Sequence, residues 1–506
     1  MTLRDSRVAV VGAGCRLPGG VDDPDALWRA LRDGVDATGP MPSSRWDLDA
    51  LYDPDRDRPD RSYVRTGAFL ADVAGFDAGL FRIAPPTAAA MDPQQRLLLE
   101  VTRAALEHAN IPPDSLRHTD TGVYIGLGTE DYSLLAADHR RTAPLDAHSL
   151  LGVNRAMAAG RVAHLLGTRG PALQVDTTCS SSLVAVHLAL RDLRSGDCDL
   201  AVVGGAHLLL TPWSVLARCR TNALSPTGAC RAFDAGADGF ALGEGAVALV
   251  LKRLSDAERD GDPVLGVLRG SAVNHDGPSA GLTTPSQSAQ EAVLAKALAD
   301  AGLRPDDVSY VEAHGTGTAL GDPIEVRALA AVLGRERTAP LRVGSVKTNF
   351  GHLEAAAGAL SLLKVLLALD RGQVPPSLHL TEPNPHIPWD DVPVAVDTAL
   401  RDWPRGPRPR VAGVSAFGMS GTNCHVLVEE APPPAPRATP AGPGVFPLSA
   451  RSAEALRELA ARHVDALGDT SAPVADLCAS AARGRSAARV RTAVVAADVA
   501  GLRAAM

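Results

Sequence analysis

The chain has 506 residues, too many for one ordinary compact core unless its layers repeat, so two or more structural units are expected. Its composition is that of a globular protein, 45% hydrophobic and 21% charged with only 4% aromatic. A net charge of −8 offers no broad basic field, which argues against nucleic acid as a partner.

The first predicted strand, VAVVGAG (8–14), opens an apolar run too short for a signal peptide, and no later run reaches membrane-spanning length. The seven cysteines (Cys15, Cys179, Cys198, Cys219, Cys230, Cys424, Cys478) form no C-x-x-C pair, so neither a disulfide framework nor a zinc site is expected. A soluble cytoplasmic protein with no membrane partner is the expectation. The run VAVVGAGCRLPGG imitates a dinucleotide fingerprint but has Leu17 where the third glycine must stand, and Asp33 at the ribose distance is coincidence. Nor does any phosphate-cradling GxxxxGK[ST] occur.

PDALWRALRDG (24–34) and QQRLLLEVTRAALEHA (94–109) read as helices, the second a packing helix. TGVYIGL (121–127) reads as a strand, and so does the start of VDTTCSSSLVAVHLAL (175–190), through Thr178. That stretch then turns into a helix apolar on more than one face, which predicts burial on most sides. Ser180, Ser181 and Ser182 suit its first turn, where hydroxyls can accept from unpaired backbone N–H groups. A thiol at Cys179 would feel the positive helix end and its pKa should fall; as a small buried core residue it would be inert. The stretch by itself leaves both readings open.

Strands LAVVGGA (200–206), GAVALVLKRL (245–254), VSYVEAHG (308–315), LRVGSVK (341–347), VAGVSAF (411–417) and HVLVEEA (425–431) alternate with helices AQEAVLAKALADAG (289–302) and AGALSLLKVLLALDRG (357–372). Such alternation predicts a layered α/β fold. The strand–turn–apolar helix of 175–190 recurs at 343–368, so two similar halves would account for one body of this length. APPPAPRATPAGPGVFP (431–447) reads as an extended linker, and residues 448–506 as a small unit of two strand–helix pairs whose abrupt end marks a piece of something longer.

Three further stretches carry chemistry. EAHGTGTALGDPIE (312–325) places His314 on a glycine-rich loop after a strand, with Thr316 and Thr318 able to bond an amide-bearing arm, although a structural loop would look alike. KTNFGHLEAAAG (347–358) sets Lys347, His352 and Glu354 before an apolar helix, whose start favours neutral imidazole over imidazolium. Basic residues here are otherwise almost all arginine, with only Lys252, Lys296, Lys347 and Lys364 as lysine, which tilts Lys347 toward function. SAFGMSGTNCHVLVEE (415–430) has a glycine loop that could aim backbone N–H groups at an oxyanion, or form a plain hairpin. GVSAFG within this region fails G-x-S-x-G because of Phe417, and His187 and His425 read as structural.

Taken in order, VDTTCSSSL, EAHGTGT, KTNFGHLEAAAG and GMSGTN resemble the β-ketoacyl synthases. GCRLPGGVDDPDALWRAL, MDPQQRLLLE, CRAFDAGADGFALGEGA and NHDGPSAGLT narrow the resemblance to the ketosynthase domain of bacterial modular or iterative type I polyketide synthases, over nearly all of residues 7 to 430. The tail resembles the start of the linker to an acyltransferase. The resemblance implies a thiolase fold, two similar halves in five α-β-α-β-α layers over residues 1–430, and a homodimer. It implies Cys179 as nucleophile, the N–H groups of Cys179 and Met419 as oxyanion hole, and His314 and His352 as donors to an extender thioester during decarboxylation.

By the same resemblance Lys347 would hold the histidines, with Asp322 or Glu325 as its counter-charge, and Thr316 and Thr318 would contact pantetheine. It implies no bound cofactor: the phosphopantetheine arm comes on an acyl carrier protein, and an acyltransferase domain is the expected neighbour in the full-length protein. Met419 stands where many relatives have phenylalanine, and Cys424 where alanine is common. No docking helix precedes the first strand, as in the first protein of an assembly line, an iterative synthase or an excised piece. The rival is an acyl transferase that loads Cys179 without condensing. A degradative thiolase would need a second catalytic cysteine, for which Cys424 is the sole candidate, and a non-catalytic partner subunit would lack Cys179.

Overall fold

Consecutive residues of a strand point to opposite faces, yet Val8, Ala9, Val10 and Val11 are all buried, so the sheet they belong to is covered on both sides. The computed structural model describes residues 7–139, 147–335, 337–433, 442–468 and 470–506. Its main sheet has eleven strands. They are β1 (Val8–Arg16), β2 (Thr121–Gly126), β3 (Ala172–Val175), β4 (Leu200–His207), β5 (Gly245–Arg253) and β6 (Gly266–His275). The remainder are β7 (Val308–Glu312), β8 (Leu341–Gly344), β9 (Val394–Val396), β10 (Val411–Phe417) and β11 (Thr422–Glu430).

The sheet is two copies of one pattern. From β1 outward the order β1-β5-β4-β2-β3 is antiparallel, antiparallel, parallel, parallel. From β6 outward β6-β11-β10-β7-β8 repeats those directions, and β9 is added in parallel. The copies meet in a short antiparallel seam, Val8 opposite Leu268 and Val10 opposite Gly266.

Helices α1 (Pro93–His108) and α2 (Met157–Leu166) cover the outer face of the first half; α3 (Ser181–Ser195) follows β3, and α4 (Pro212–Arg220) follows β4. Helices α5 (Gln287–Ala301) and α6 (Gly321–Leu333) cover the second half, and α7 (Ala357–Arg371) is the counterpart of α3. A single apolar core joins α3, α7 and the inner faces of both half-sheets, including Tyr124, Val203, Tyr310 and Val414. The layers are therefore α-β-α-β-α, the thiolase arrangement that the resemblance implied and with which the paired strand–turn–helix units agree. α7 is buried along almost its whole length, which is why its sequence lacks a polar face.

Beyond β11, strands β12 (Gly444–Ala450) and β13 (Val490–Ala496) pair antiparallel, with helices α8 (Ala453–Ala466), α9 (Val474–Arg483) and α10 (Val499–Ala505) around a separate core of Phe446, Leu448, Cys478, Val494 and Leu502. β12 begins inside the stretch expected to be linker, because Phe446 and Leu448 are both buried; residues 434–441 of that linker lie outside the described residues. α9 was not anticipated, although its apolar residues recur at helical spacing and bring Cys478 into the small core. The unit sits on the α1 side, with Arg485 3.4 Å from Glu107 and Ser486 Oγ accepting the Asp114 N–H at 3.1 Å. Among the described residues no helix is long and apolar enough to cross a membrane.

Gly126 ends β2 under the start of α3, where a Cβ would lie 2.6 Å from the Ser182 nitrogen. Those neighbours are backbone and cannot rotate away. Gly126→Ala should therefore cost about 1–3 kcal/mol of apparent stability in urea unfolding, the usual cost of overpacking.

Candidate active site

The turn between β3 and α3 is tightly built. β3 stops at Val175 and does not run on to Thr178, because Thr178 takes a left-handed backbone conformation (φ 55°) and opens a 3-10 turn, Thr178–Ser180, before the α-helix begins. A β-branched residue there stores about 1–3 kcal/mol of strain. A local network holds it. Ser181 Oγ accepts the Thr177 N–H at 2.9 Å and donates to the Thr178 carbonyl at 2.6 Å, while Ser180 Oγ donates to the Thr177 carbonyl at 2.9 Å. The serines thus do not cap their own helix as the sequence pattern led one to expect. Ser182 Oγ instead accepts the Ala359 N–H at 3.0 Å, capping the opposing helix α7.

Cys179 sits on this elbow, half-buried. Its thiol is pushed up to about 11, chiefly by burial and further by the Glu354 carboxylate, against the pull of the Met419 N–H, Lys347 and Arg218. The expected fall in pKa does not occur: desolvation of a thiolate outweighs the favourable charges around it. The Met419 N–H reaches Cys179 from the turn between β10 and β11. That turn can come so close because Gly418 has no Cβ, which would lie 2.3 Å from the Thr177 carbonyl oxygen. Met419 itself is 52% exposed.

His314 follows β7. Its Nδ1 accepts the Phe417 N–H at 3.4 Å, from the same turn that reaches Cys179. The His314 and His352 rings lie edge to face with centroids 5.4 Å apart, and Phe240 packs against His352 at 5.1 Å. His352 Nδ1 accepts the Glu354 N–H at 3.1 Å, and its buried Nε2 has no hydrogen-bond partner among the described residues. Each ring therefore has its Nδ1 lone pair occupied, which puts the neutral-state proton on Nε2. Burial holds both histidines well below the usual imidazole range, and the Lys347 ammonium lowers them further. Both rings are thus held in the neutral form.

Lys347, 1% exposed, donates to the His314 carbonyl at 2.6 Å. Among the described residues it makes no ion pair within 4 Å. Asp322 and Glu325 are not its counter-charges in contact. Glu325 accepts the N–H groups of His314 (2.8 Å) and Gly315 (2.9 Å), and Asp322 those of Phe233 (2.7 Å) and Gly317 (3.2 Å). Both carboxyls fasten the 314–318 loop by its backbone, and burial raises them to about 7 and about 6 respectively. The hydroxyls of Thr316 and Thr318 on that loop are 3.2 Å apart.

Several residues of this cluster escaped the sequence reading. Arg218 on α4 forks onto both oxygens of Glu354, and His207 Nε2 lies 3.8 Å from the same carboxylate. Beneath Lys347, Glu312 accepts the Val346 N–H at 2.5 Å and pairs with the fully buried Lys364 at 2.7 Å. A lysine inside the apolar run of α7 was a legible signal for this pair; nothing local distinguished Arg218 or His207. His187 and His425 are structural, each bonded to a serine, Ser271 at 2.8 Å and Ser415 at 3.0 Å. Cys424 is buried and its thiol strongly raised by burial, as befits a core residue.

A thiol, two neutral imidazole donors and a backbone N–H converging on one elbow suit acyl transfer with a stabilised oxyanion or enolate. Residues 5–257 match the model of the beta-ketoacyl synthase N-terminal domain, residues 265–381 its C-terminal domain, and residues 383–495 the ketoacyl-synthetase C-terminal extension. The chain belongs to the β-ketoacyl synthases. It is 50% identical to erythronolide synthase EryA2 of Saccharopolyspora erythraea over 98% of its own length and 14% of that protein's. It is 49% identical to the spectinabilin polyketide synthase system protein NorC of Streptomyces orinoci over 97% and 22%. The chain thus spans less than a quarter of these two relatives. Among solved structures, the oxazolomycin ketosynthase domain OzmH KS7 of Streptomyces albus JA3453 matches with TM-score 0.93 and 39% identity, covering 98% of this chain and 87% of that one. The ketosynthase from module 6 of the bacillaene synthase of Bacillus subtilis 168 matches at 0.91 and 38%, over 99% and 84%. The chain is accordingly a ketosynthase of the type I polyketide synthase kind.

A resting β-ketoacyl synthase of this geometry keeps Cys179 protonated. Alkylation of Cys179 by iodoacetamide should rise about tenfold per pH unit through neutrality without levelling off. A plateau reached near neutral pH would mean that the thiolate already exists in the free protein.

Proposed function

We propose that this chain accepts an acyl group on Cys179 from a phosphopantetheinyl carrier protein and condenses it, with loss of carbon dioxide, with a malonyl-type extender on acyl carrier protein. The single observation that carries this reading is the pair of buried histidines whose Nδ1 atoms are occupied by the Phe417 and Glu354 N–H groups, leaving each ring an Nε2–H donor, with Met419, two residues beyond Phe417, bonding Cys179. No cofactor is needed beyond the carrier's pantetheine arm, which Thr316 and Thr318 would bond.

In the first half-reaction the Cys179 sulfur adds to the donor's thioester carbonyl. The oxyanion takes the N–H groups of Cys179 and Met419, and collapse leaves acyl-Cys179 and the pantetheine thiol, which carries off the cysteine proton. A thiol pushed up to about 11 fits a nucleophile that loses its proton only as it attacks. In the second half-reaction the extender's thioester oxygen takes the Nε2–H groups of His314 and His352. The bond to its carboxylate breaks, carbon dioxide leaves, and the electron pair becomes an enolate. The enolate carbon attacks acyl-Cys179, and the cysteine sulfur departs with the β-ketoacyl thioester on the carrier. Because both imidazoles are neutral and well below their usual range, they stabilise the enolate without taking a proton. Lys347 would hold His314 through its carbonyl.

The partners belong to the proposal. β3 forms one edge of the sheet, and Leu173 on it is exposed, as are Leu150 and Leu151 nearby in sequence. A second copy of the chain covering this edge accounts for them. Residues 1–430 would be the ketosynthase unit and 448–506 the beginning of a linker to an acyltransferase domain.

Intact-mass spectrometry tests the chemistry. A short acyl thioester should label wild type and leave Cys179→Ala unlabelled, and malonyl carrier should then become β-ketoacyl carrier. His314→Ala and His352→Ala should still load but lose about 10²–10³-fold in decarboxylation. Loading followed by transfer with malonate intact would instead identify a non-condensing acyl transferase. In light-scattering chromatography the chain should elute as a dimer, and Leu173→Asp should shift it toward monomer.

A further inference from the structure

Glu354 is in an unusual place for an acidic residue. It opens the 3-10 turn Glu354–Ala356 that precedes α7, the counterpart of the turn Thr178–Ser180 that carries Cys179 in the first half. Its backbone is left-handed, φ 39°, as Thr178 is at the matching position. The turn sets the Glu354 N–H against His352 Nδ1, and the left-handed φ of Glu354 fixes the direction in which its side chain leaves that turn. A non-glycine residue does not stay in that conformation unless something outside the turn holds it.

The hold is visible. Arg218 forks onto both carboxylate oxygens of Glu354, with Nη2 to Oε2 at 2.5 Å, and its Nη1 donates to the Ser214 carbonyl at 2.8 Å, so the guanidinium is tied to its own helix. Ser214 in turn donates to the buried Asp131, which also accepts the N–H groups of Leu210 (2.8 Å) and Thr211 (3.0 Å). The carboxylate thus leans on the fixed start of α4. On its other side stands buried His207, 3.8 Å away, whose Nδ1 bonds Thr129 Oγ1 at 2.7 Å. Neither Arg218 nor the Glu354 carboxylate bonds His352 itself; the connection runs through the Glu354 backbone.

We propose that Arg218 and Glu354 are positioning residues of the condensation: their ion pair keeps the Glu354 N–H on His352 Nδ1 and so keeps the His352 proton on Nε2, facing the extender. This rests on the reading of His352 given above. The duplicated turn thus serves two ends, a nucleophile in one half and a clamp on a donor in the other.

The prediction separates backbone from charge. Glycine adopts φ near +40° without strain and retains its N–H. Glu354→Ala, which loses the carboxylate anchor and keeps the strained φ, should lose about 10–100-fold in kcat for malonyl-carrier decarboxylation with little change in KM, less than the removal of a donor outright, and Glu354→Gly should lose about three- to tenfold less than Glu354→Ala. Arg218→Met should resemble Glu354→Ala, and in a Glu354→Gly background should cost almost nothing more. Acylation of Cys179 should not slow in the Glu354 variants, because the carboxylate they remove is one that raises the thiol, whereas a general loosening of the cleft would slow it. Should Glu354→Ala not fold, Glu354→Gln takes its place under the same criterion. Equal losses in Glu354→Gly and Glu354→Ala would overturn the proposal in favour of a direct role for the charge, and so would full activity in both. If wild type itself neither decarboxylates nor condenses, the functional reading has failed and not merely this one.

Discussion

A helix that starts in the interior presents N–H groups that water cannot reach, and this chain starts two such helices, α3 and α7, against each other in its middle layer. Their first turns must be satisfied by protein atoms alone. Ser182 does so across the interface, accepting from Ala359, and the neighbouring hydroxyls of Ser180 and Ser181 tie down the elbow before them. Everything chemically active lies on or beside these two starts. The cysteine occupies one elbow; His352 immediately precedes the other; His314 and the Met419 turn close over both. The sheet arrangement, with the two half-sheets lining one shared inner core, is what brings the starts together.

Burial is also what sets the protonation of the site. Two imidazoles beside a buried ammonium cannot hold a second and third positive charge, so they remain neutral. The surrounding carboxylates could have reversed this had they faced the rings. They face the backbone instead: Glu325 and Asp322 hold the 314–318 loop, Glu312 holds Val346, and the Glu354 carboxylate is drawn to about 2 by Arg218 and its neighbours. Acidic groups thus shape the cleft without titrating its donors. The same burial favours the protonated form of the Cys179 thiol.

Much of this was legible in the sequence, and for identifiable reasons. The repeat of strand, turn and apolar helix at 175–190 and 343–368 survives in three dimensions because α7 is buried along almost its whole length and α3 through Val186, which erases the usual polar face over those spans. Cys179 stood out at a strand-to-helix turn, His314 on a glycine-rich loop after a strand, Lys347 by the scarcity of lysine, and His352 ahead of an apolar helix. What failed were inferences that treated a helix start as isolated. The serines were read as caps for α3, and the thiol as activated by it, since a sequence shows the dipole but not the desolvation that opposes it. Arg218 and His207 gave no local sign; their partner lies well over a hundred residues away and is chosen by topology. The small C-terminal unit was half legible, its strands marked by alternation and α9 overlooked despite its helical spacing.

The two matching turns now differ wholly in side chains: where the first has Thr178, Cys179 and Ser180, the second has Glu354, Ala355 and Ala356. Ala355 and Ala356 give the second turn neither a nucleophile nor a hydroxyl, so an architecture with two equivalent elbows carries a reactive side chain on only one of them, and each chain holds a single acylation position.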